Sequence, residues 1–314
     1  MIKILKKLVI VLIAELSHPT FKTTTMYDHT ELFCLIDDFC IRFKPIYLKN
    51  LKDSGLIKRA RSAFLDLSEI LLAVWFHLSH FKTFKHFIAF VTCYHRHDFK
   101  ALPSYQRINS LVAQHAPAIT AFFEALLITP SKDAIHFVDS TPLTVCKTTR
   151  IPRHRTFRAT AGRGKSSTGW FYGFKLHLII NQACDIVSAL VTAGNVADVT
   201  ALLPLFQRHP VRGKLFGDRG YISGSVKHLL GMRHCEVVTR ARANMQQPVF
   251  TPEDEHYLCQ RTLIETVNSQ LKEDLGLEHS RHRSWRGYIA HIYASLIAYQ
   301  CATIKARVKP FPGA

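Results

Sequence analysis

The chain has 314 residues, enough for one large domain or two ordinary ones, and its 47% hydrophobic content excludes wholesale disorder. Its 41 Lys and Arg face 23 Asp and Glu, a formal charge of +18, which favours an anionic polymer or an anionic membrane as partner. Eight cysteines are scattered without a Cys-x-x-Cys pair, which excludes a disulfide framework and a paired structural zinc site. Reduced, mostly buried thiols are expected.

Lys3, Lys6 and Lys7 lead into the apolar run Leu8 to Ala14, as in a signal peptide. Seven apolar residues are far short of a membrane span, and no small-x-small cleavage site follows before Met26. Residues 1–25 therefore read as an extension from an upstream start codon or a loose helix, and no membrane partner is expected. From His29 to Leu127 the apolar spacing is helical. Glu31 to Phe43, Leu65 to Leu78, Phe84 to Tyr94 and Ser104 to Leu127 read as helices. A DNA-gripping module with a helix-turn-helix around Ser68 to Arg107 and a plain packing domain both fit this region, residues 26–128.

Thr129-Pro130-Ser131-Lys132-Asp133 marks a boundary, after which the period changes. Ile135 to Val145 reads as a strand bent at Pro142. Trp170 to Ile180 reads as a second, with Phe174, Leu176, Leu178 and Ile180 on one face and Lys175 and His177 on the other. Ile186 to Thr192 completes an antiparallel meander. Val199 to Phe206 (helix), Lys214 to Phe216 (strand), Ser223 to Gly231 (helix) and Cys235 to Thr239 (strand) follow. The fold class is α+β: an all-α N-terminal region, then a five-stranded mixed sheet flanked by helices over residues 133–305, and a tail, 306–314.

Lys147, Arg150, Arg153, Arg155, Arg158, Arg163 and Lys165 crowd one stretch with no acid, and Gly162 and Gly164 keep it flexible. It should form a long basic hairpin loop near Asp139 that contacts phosphates. Farther on, Arg261, Asn268 and Lys272 project within about 60° of Glu265 on one helix face, with Leu263, Ile264, Val267 and Leu271 on the opposite one. A surface glutamate among salt-bridging neighbours would look the same. Asp139 and Asp218, each ending an apolar strand, strengthen the other reading: two strand-end aspartates and a helical glutamate suit two divalent cations on oxygen ligands.

These residues also carry a resemblance. Val138-Asp139-Ser140-Thr141, Tyr172-Gly173-Phe174-Lys175-Leu176-His177, Gly194-Asn195-Val196-Ala197-Asp198, Gly217-Asp218-Arg219-Gly220-Tyr221 and Arg261-x3-Glu265-x6-Lys272 stand in the order of bacterial insertion-sequence DDE transposases. The tyrosine that usually precedes the arginine by three positions stands four before it, as Tyr257. Glu31 to Cys40 resembles the start of the insertion-sequence 982 group. The resemblance implies a ribonuclease H-like catalytic domain in which Asp139, Asp218 and Glu265 hold two Mg²⁺ ions, with Mn²⁺ able to substitute. It implies cleavage at element ends and joining of the freed 3′-hydroxyl to target DNA, with Arg261 and Lys272 on DNA phosphates or orienting the glutamate. The partners would be double-stranded DNA, terminal repeats and target alike, and further copies of the chain on DNA. The place would be the cytoplasm, at the nucleoid. A nuclease of the same fold that does not join, and a non-catalytic DNA-binding remnant, are the alternatives.

Other constellations carry less. Tyr94-His95-Arg96-His97 has Arg96 where a two-histidine metal nuclease needs an apolar residue, and Cys93 with His95 and His97 lacks a fourth zinc ligand. His177, on the polar face of the second strand, reads as a hydrogen-bonded structural histidine or as one that approaches the metals or the scissile phosphate. Asp198 reads as a helix-capping carboxylate that could be mistaken for a third ligand.

Overall fold

The computed structural model describes residues 29–53, 67–99, 101–127, 133–166, 169–246, 248–278, 281–302, 305–306 and 308–311. The extension 1–25, the boundary peptide 129–132 and the first two residues of the expected Leu65–Leu78 helix lie outside them. These residues divide into two compact units, one of residues 1–128 and 271–303, the other of residues 129–270 and 304–314. Among them no helix is long and apolar enough to cross a membrane.

The first unit is helical: α1 His29–Asp53, α2 Leu67–Leu78, α3 Phe84–Tyr94, α4 Tyr105–Gln114, α5 Ala116–Leu126 and α10 Trp285–Cys301. Helix α1 runs ten residues past the expected Phe43, through Pro45. The expected Ser104–Leu127 helix is two, because α4 ends at His115 and Pro117 opens α5, where a missing N–H costs nothing. Helix α10 is apolar all round and buries nearly every residue from Ala290 to Tyr299, as a central helix should. It packs on α2, α4 and α5, with the Phe123 and Tyr293 rings in edge contact at 5.4 Å. The Phe39 ring of α1 meets Phe122 of α5 at a tilt, with centroids 4.9 Å apart. His77 and His291 are buried at ring distance 4.7 Å and bond the carbonyls of Leu275 and Leu277. Burial holds His77 down to about 4 and His291 well below its ordinary value, so both are neutral at pH 7.

The second unit is a mixed sheet with helices on it: β1 Ile135–Cys146, β2 Gly162–Ser166, β3 Gly169–Asn181, β4 Ile186–Ala193, α6 Asp198–Arg208, β5 Gly213–Gly217, α7 Gly224–Gly231, β6 Cys235–Thr239, α8 Pro252–Gln260 and α9 Leu263–Ser269. The sheet has six described strands rather than the expected five. Along it run β3, β1, β5 and β6, with β2 and β4 both on the outer edge of β3. Strand β3 is antiparallel to β1, β2 and β4, whereas β1, β5 and β6 are mutually parallel. The added strand comes from the basic stretch, which is therefore no open loop: it holds a 3₁₀ turn, Thr148–Arg153, and then pairs back as β2.

Pro142 does not interrupt β1, since it pairs with Lys175, and the register shift comes later, between Thr144 and Cys146. Strand β5 reaches only Phe137, so past that residue β1 has no described partner on that side, and a proline is tolerated at such an edge. His177 does not face water either. Strand β3 is covered on both faces, and the polar side expected from alternation is buried. One core lies beneath α6 and α7 and includes Val138, Ile179, Leu202, Phe206, Leu215 and Val237. On the other face the rings of Phe137, Phe216 and Tyr257 meet at 5.6–6.5 Å. Tyr257 is thus a core residue, its hydroxyl taking the Gln182 amide at 3.1 Å and the Phe311 N–H at 3.3 Å. Through Phe311, and through Val308 N–H on the Gln182 carbonyl, the described part of the tail is docked on this unit. Four of the eight cysteines, Cys40, Cys184, Cys235 and Cys301, are buried; Cys34, Cys93 and Cys259 are exposed, more than expected.

At Gly173 the β1 backbone passes so close that a Cβ would overlap the Leu143 carbonyl oxygen. Gly173→Ala is therefore expected to cost about 1–3 kcal/mol through forced backbone shifts. The urea unfolding midpoint of the variant, at unchanged slope, checks this.

Candidate active site

Two of the three carboxylates are brought together by the sheet alone. The parallel register pairs Phe137 with Phe216, so Asp139 and Asp218, each two residues on, stand level. Asp218 lies just past the end of β5 and Asp139 within β1, which continues to Cys146 rather than ending there as expected. Asp218 leaves the strand and caps a 3₁₀ turn, its Oδ1 accepting the Gly220 N–H at 2.8 Å. A Cβ on Gly220 would come within 2.9 Å of that oxygen and 3.5 Å of Asp198 Oδ2, so glycine lets the turn close on both acids.

Glu265 arrives on α9, which is anchored by fully buried Ile264 and Val267. The helix expected over Arg261 to Lys272 is broken at both ends. Helix α8 stops at Gln260, α9 begins at Leu263, and a π turn, Gln270–Asp274, follows it. The Arg261–Glu265 pair is kept, with Nη2 to Oε1 at 3.4 Å, on a glutamate whose side chain is 58% exposed. Asn268 is buried and donates to Asp139 Oδ2 at 3.4 Å, which ties α9 to β1. Lys272 departs from expectation: it lies in the π turn, within the other compact unit, and Glu278 holds its ammonium at 2.8 Å.

Asp139 feels all of this. Burial, with the charges of Asp218 and Glu265, pushes its carboxyl up to about 7, against the Ser140 N–H and Arg261, which pull it down. Around it sits a network that sequence reading missed. Asp198 is the first residue of α6 but its side chain caps nothing. Its Oδ1 takes the Ser140 hydroxyl at 2.7 Å and Lys175 Nζ at 3.0 Å. Ser140 follows Asp139 in β1, so this carboxylate is fixed to the strand that bears the first aspartate. His177 Nδ1 lies 3.9 Å from Asp198, and its Nε2 pairs with Thr192 at 2.8 Å. Burial holds His177 down to about 4, against the charge of Asp198, so it is neutral at pH 7. Tyr221 is 1% exposed, its hydroxyl beside Ser140 without an aligned hydrogen bond. Burial, then the charges of Asp139, Asp198 and Asp218, keeps it protonated. The signal for this network was a buried-strand lysine, Lys175, which needs a counter-charge.

The donor set fits a hard divalent cation. It is all carboxylate oxygen, and Asp139 carries an acid whose charge nothing nearby balances in full. Among the described residues no three His, Cys, Asp or Glu side chains are placed to hold one ion, so a cation there would need side-chain movement, for which exposed Glu265 has room. The histidines near Tyr94 make no such cluster: His95 and His97 bond Asp98 at 3.0 and 3.2 Å.

All seven cations of the basic stretch are exposed. Phe157 anchors the stretch, buried in edge contact with Phe174 at 5.7 Å, and Lys165 lies 5.9 Å from the Trp170 ring centre. Its two ends sit differently from the expected loop at Asp139. Strand β1 first continues from Asp139 to Cys146, roughly 23 Å of chain. Its return at Gly162 passes against Asn195, shortly before Asp198.

Because the folded Asp139 holds its proton more tightly than the ordinary carboxyl at 3.8, folding takes up a proton there. Its stabilising contribution is full below about pH 4 and is lost as pH rises through about 7. In chelator, Asp139→Asn should gain on the wild type steadily between those values and hold a Tm advantage of a few degrees, about 2–4 °C per kcal/mol, at pH 8. Mg²⁺ should reverse the order by stabilising only the wild type. Melting curves from pH 4 to 8, with and without the ion, test both statements.

Among curated proteins none matches the sequence. One solved structure with some likeness is a piggyBac transposase in a synaptic complex with hairpin DNA. It is 13% identical, with a TM-score of 0.33, over 78% of this chain and 49% of that one, so this chain spans about half of that transposase's length and the likeness is too distant to argue from. The sequence profile of the family described as "Transposase DDE domain" matches residues 129–285, half of the chain, and takes in Asp139, Asp218 and Glu265. The chain belongs to the transposase DDE domain family.

Proposed function

We propose that this protein is a DNA transposase that cuts at the ends of a bacterial insertion sequence, similar to the insertion-sequence 982 group, and joins the freed 3′-hydroxyl to target DNA. Its catalytic domain, residues 133–305, is read as ribonuclease H-like and so spans parts of both compact units; residues 26–128 are the helical DNA-binding region. Supporting the fold reading is the strand order, an antiparallel meander followed by two parallel strands. The observation that carries the function is geometric: the β1–β5 register sets Asp139 level with Asp218, and Asn268, three residues after Glu265 on α9, bonds Asp139 at 3.4 Å.

In this reading Asp139, Asp218 and Glu265 hold the divalent cations, two Mg²⁺, with Mn²⁺ able to substitute. Bound cations would supply Lewis-acid stabilisation of the phosphodiester and a more acidic attacking water or hydroxyl. The protein's own groups do the rest. Asp139 gives up its proton on loading, so ion affinity falls as pH drops below about 7. Arg261 orients Glu265, and Asn268 and the Asp198–Ser140 contact steady Asp139 from either side. No Ser, Cys or Tyr nucleophile is needed, and Tyr221, buried and protonated, is unsuited to be one. Lys147, Arg150, Arg153, Arg155, Arg158, Arg163 and Lys165 take DNA phosphates, while Lys272, paired with Glu278, is available to DNA only if that pair opens. The protein acts in the cytoplasm at the nucleoid, as two or more copies on DNA.

Asp139→Asn, Asp218→Asn and Glu265→Gln should each abolish cleavage and joining of a labelled element end in Mg²⁺, while duplex affinity stays near that of the wild type. Near-normal turnover by any one variant removes that residue from the site; cleavage by the wild type without joining identifies a nuclease instead. Replacing Arg153, Arg155 and Arg158 with Ala should weaken binding to terminal-repeat and random duplexes alike and flatten the salt dependence by about one per lost contact. Unchanged slopes with lost discrimination would mean that this segment reads bases.

A further inference from the structure

The helical unit contains a charged cleft that the catalytic chemistry does not use. It measures about 560 Å³ and is lined from two stretches, residues 82–86 at the start of α3 and 281–287 at the start of α10, with Tyr105 and Asn109 of α4. Lys82, Lys85, His86, Arg281 and Arg283 line it, all exposed, and no Asp or Glu does. None of the two lysines and two arginines has an ion pair among the described residues, whereas Lys175, Lys214, Lys272 and Lys305 are all paired. Gathering like charges without a counter-charge is unfavourable, and an anion in the cleft removes that cost.

The backbone adds to the same field. Thr83 and Ser284, both lining the cleft, cap α3 and α10 through the N–H groups of His86 and Gly287. The first turns of α3, α4 and α10 carry no acid, although α8 starts with Glu253, Asp254 and Glu255. The positive ends of α3 and α10 thus meet the cleft without side-chain compensation. His282 and His291 also line it. Burial holds His282 down to about 4 and His291 well below its ordinary value, so the charge sits on the exposed lysines and arginines.

We infer that this cleft binds successive phosphates of a duplex DNA backbone. The volume exceeds what one phosphate fills, and flexible cations supplied from two segments suit a spaced row of charges better than a single enclosed anion. The inference rests on the transposase reading for its choice of DNA as the polyanion.

The test is duplex titration of the full chain by fluorescence anisotropy across about 50–200 mM salt. It compares the wild type, a Lys82→Ala/Lys85→Ala/Arg281→Ala/Arg283→Ala variant, and the Arg153→Ala/Arg155→Ala/Arg158→Ala variant. The cleft variant should bind at least about tenfold more weakly, with a salt slope lower by about three to four and an unchanged circular dichroism spectrum and Tm. A Lys82→Arg/Lys85→Arg/Arg281→Lys/Arg283→Lys variant should bind like the wild type. Unchanged affinity and slope in the alanine cleft variant, with weakened binding in the other, would overturn the cleft and leave the transposase reading standing. Failure of the wild type to bind any duplex would overturn both. Inorganic pyrophosphate that raises the wild-type Tm but not that of the cleft variant, without competition from duplex, would assign the cleft to small anions and overturn the proposal.

Discussion

Everything at the candidate active site depends on the parallel pairing of β1 with β5. Parallel strands run in the same direction, so one register places Asp139 and Asp218 level with each other although they are 79 positions apart. Only three residue pairs define that contact, and it is held by what lies above and below it. Phe137, Phe216 and Tyr257 close one face, and Val138 and Leu215 join the core under α6 and α7 on the other. Where β5 stops, the chain turns at Asp218 and β1 runs on paired only with β3. The acids therefore sit where the sheet loses its neighbour and a polymer can approach.

Two kinds of electrostatic compensation coexist in the protein. Asp198 and Lys175 neutralise one another next to the proposed site, with Ser140 completing the bonds, so a fourth carboxylate is present without adding net charge. Asp139 has no such partner at hand: Arg261 is engaged with Glu265, and Asn268 offers only an amide at 3.4 Å. That difference separates a structural acid from one suited to a cation, and it lies in the partners rather than in the residue type. On the basic side the contrast repeats. Partly buried Lys175, Lys214 and Lys305 of the second unit are paired, while the exposed cations of residues 147–165 are left to solvent or to phosphate.

Departures from the sequence-based reading share a cause. Alternation in β3 marks Lys175 and His177 as polar-facing, which presumes that a polar face is a wet one; here that face is covered, and the side chains are paired inside. Helical projection from Glu265 gives the Arg261 contact correctly because a spacing of four is close to one turn. It loses Lys272 because a π turn intervenes and changes the period on which the projection depends. Asp198 was assigned a local role at its helix start, and its actual partners come from β1 and β3, 58 and 23 positions away.

The sequence by itself placed several strands of the second unit to within a residue, Cys235–Thr239 and Ile186–Ala193 among them, because period-2 runs bounded by turn residues have few alternatives; it did not foresee β2 or α8. It determined which three carboxylates to examine, since each follows or interrupts an apolar pattern with an acid. Tertiary structure decided the rest: the sixth strand made from a charged segment, the docking of Phe311 on Tyr257, the grouping of residues 271–303 with the helical unit, and the crowding of Lys82, Lys85, Arg281 and Arg283 in one cleft. Each depends on contacts between residues far apart in the chain. A pattern read along the chain records which face of an element is apolar, but not which partner covers it or which charge it meets there.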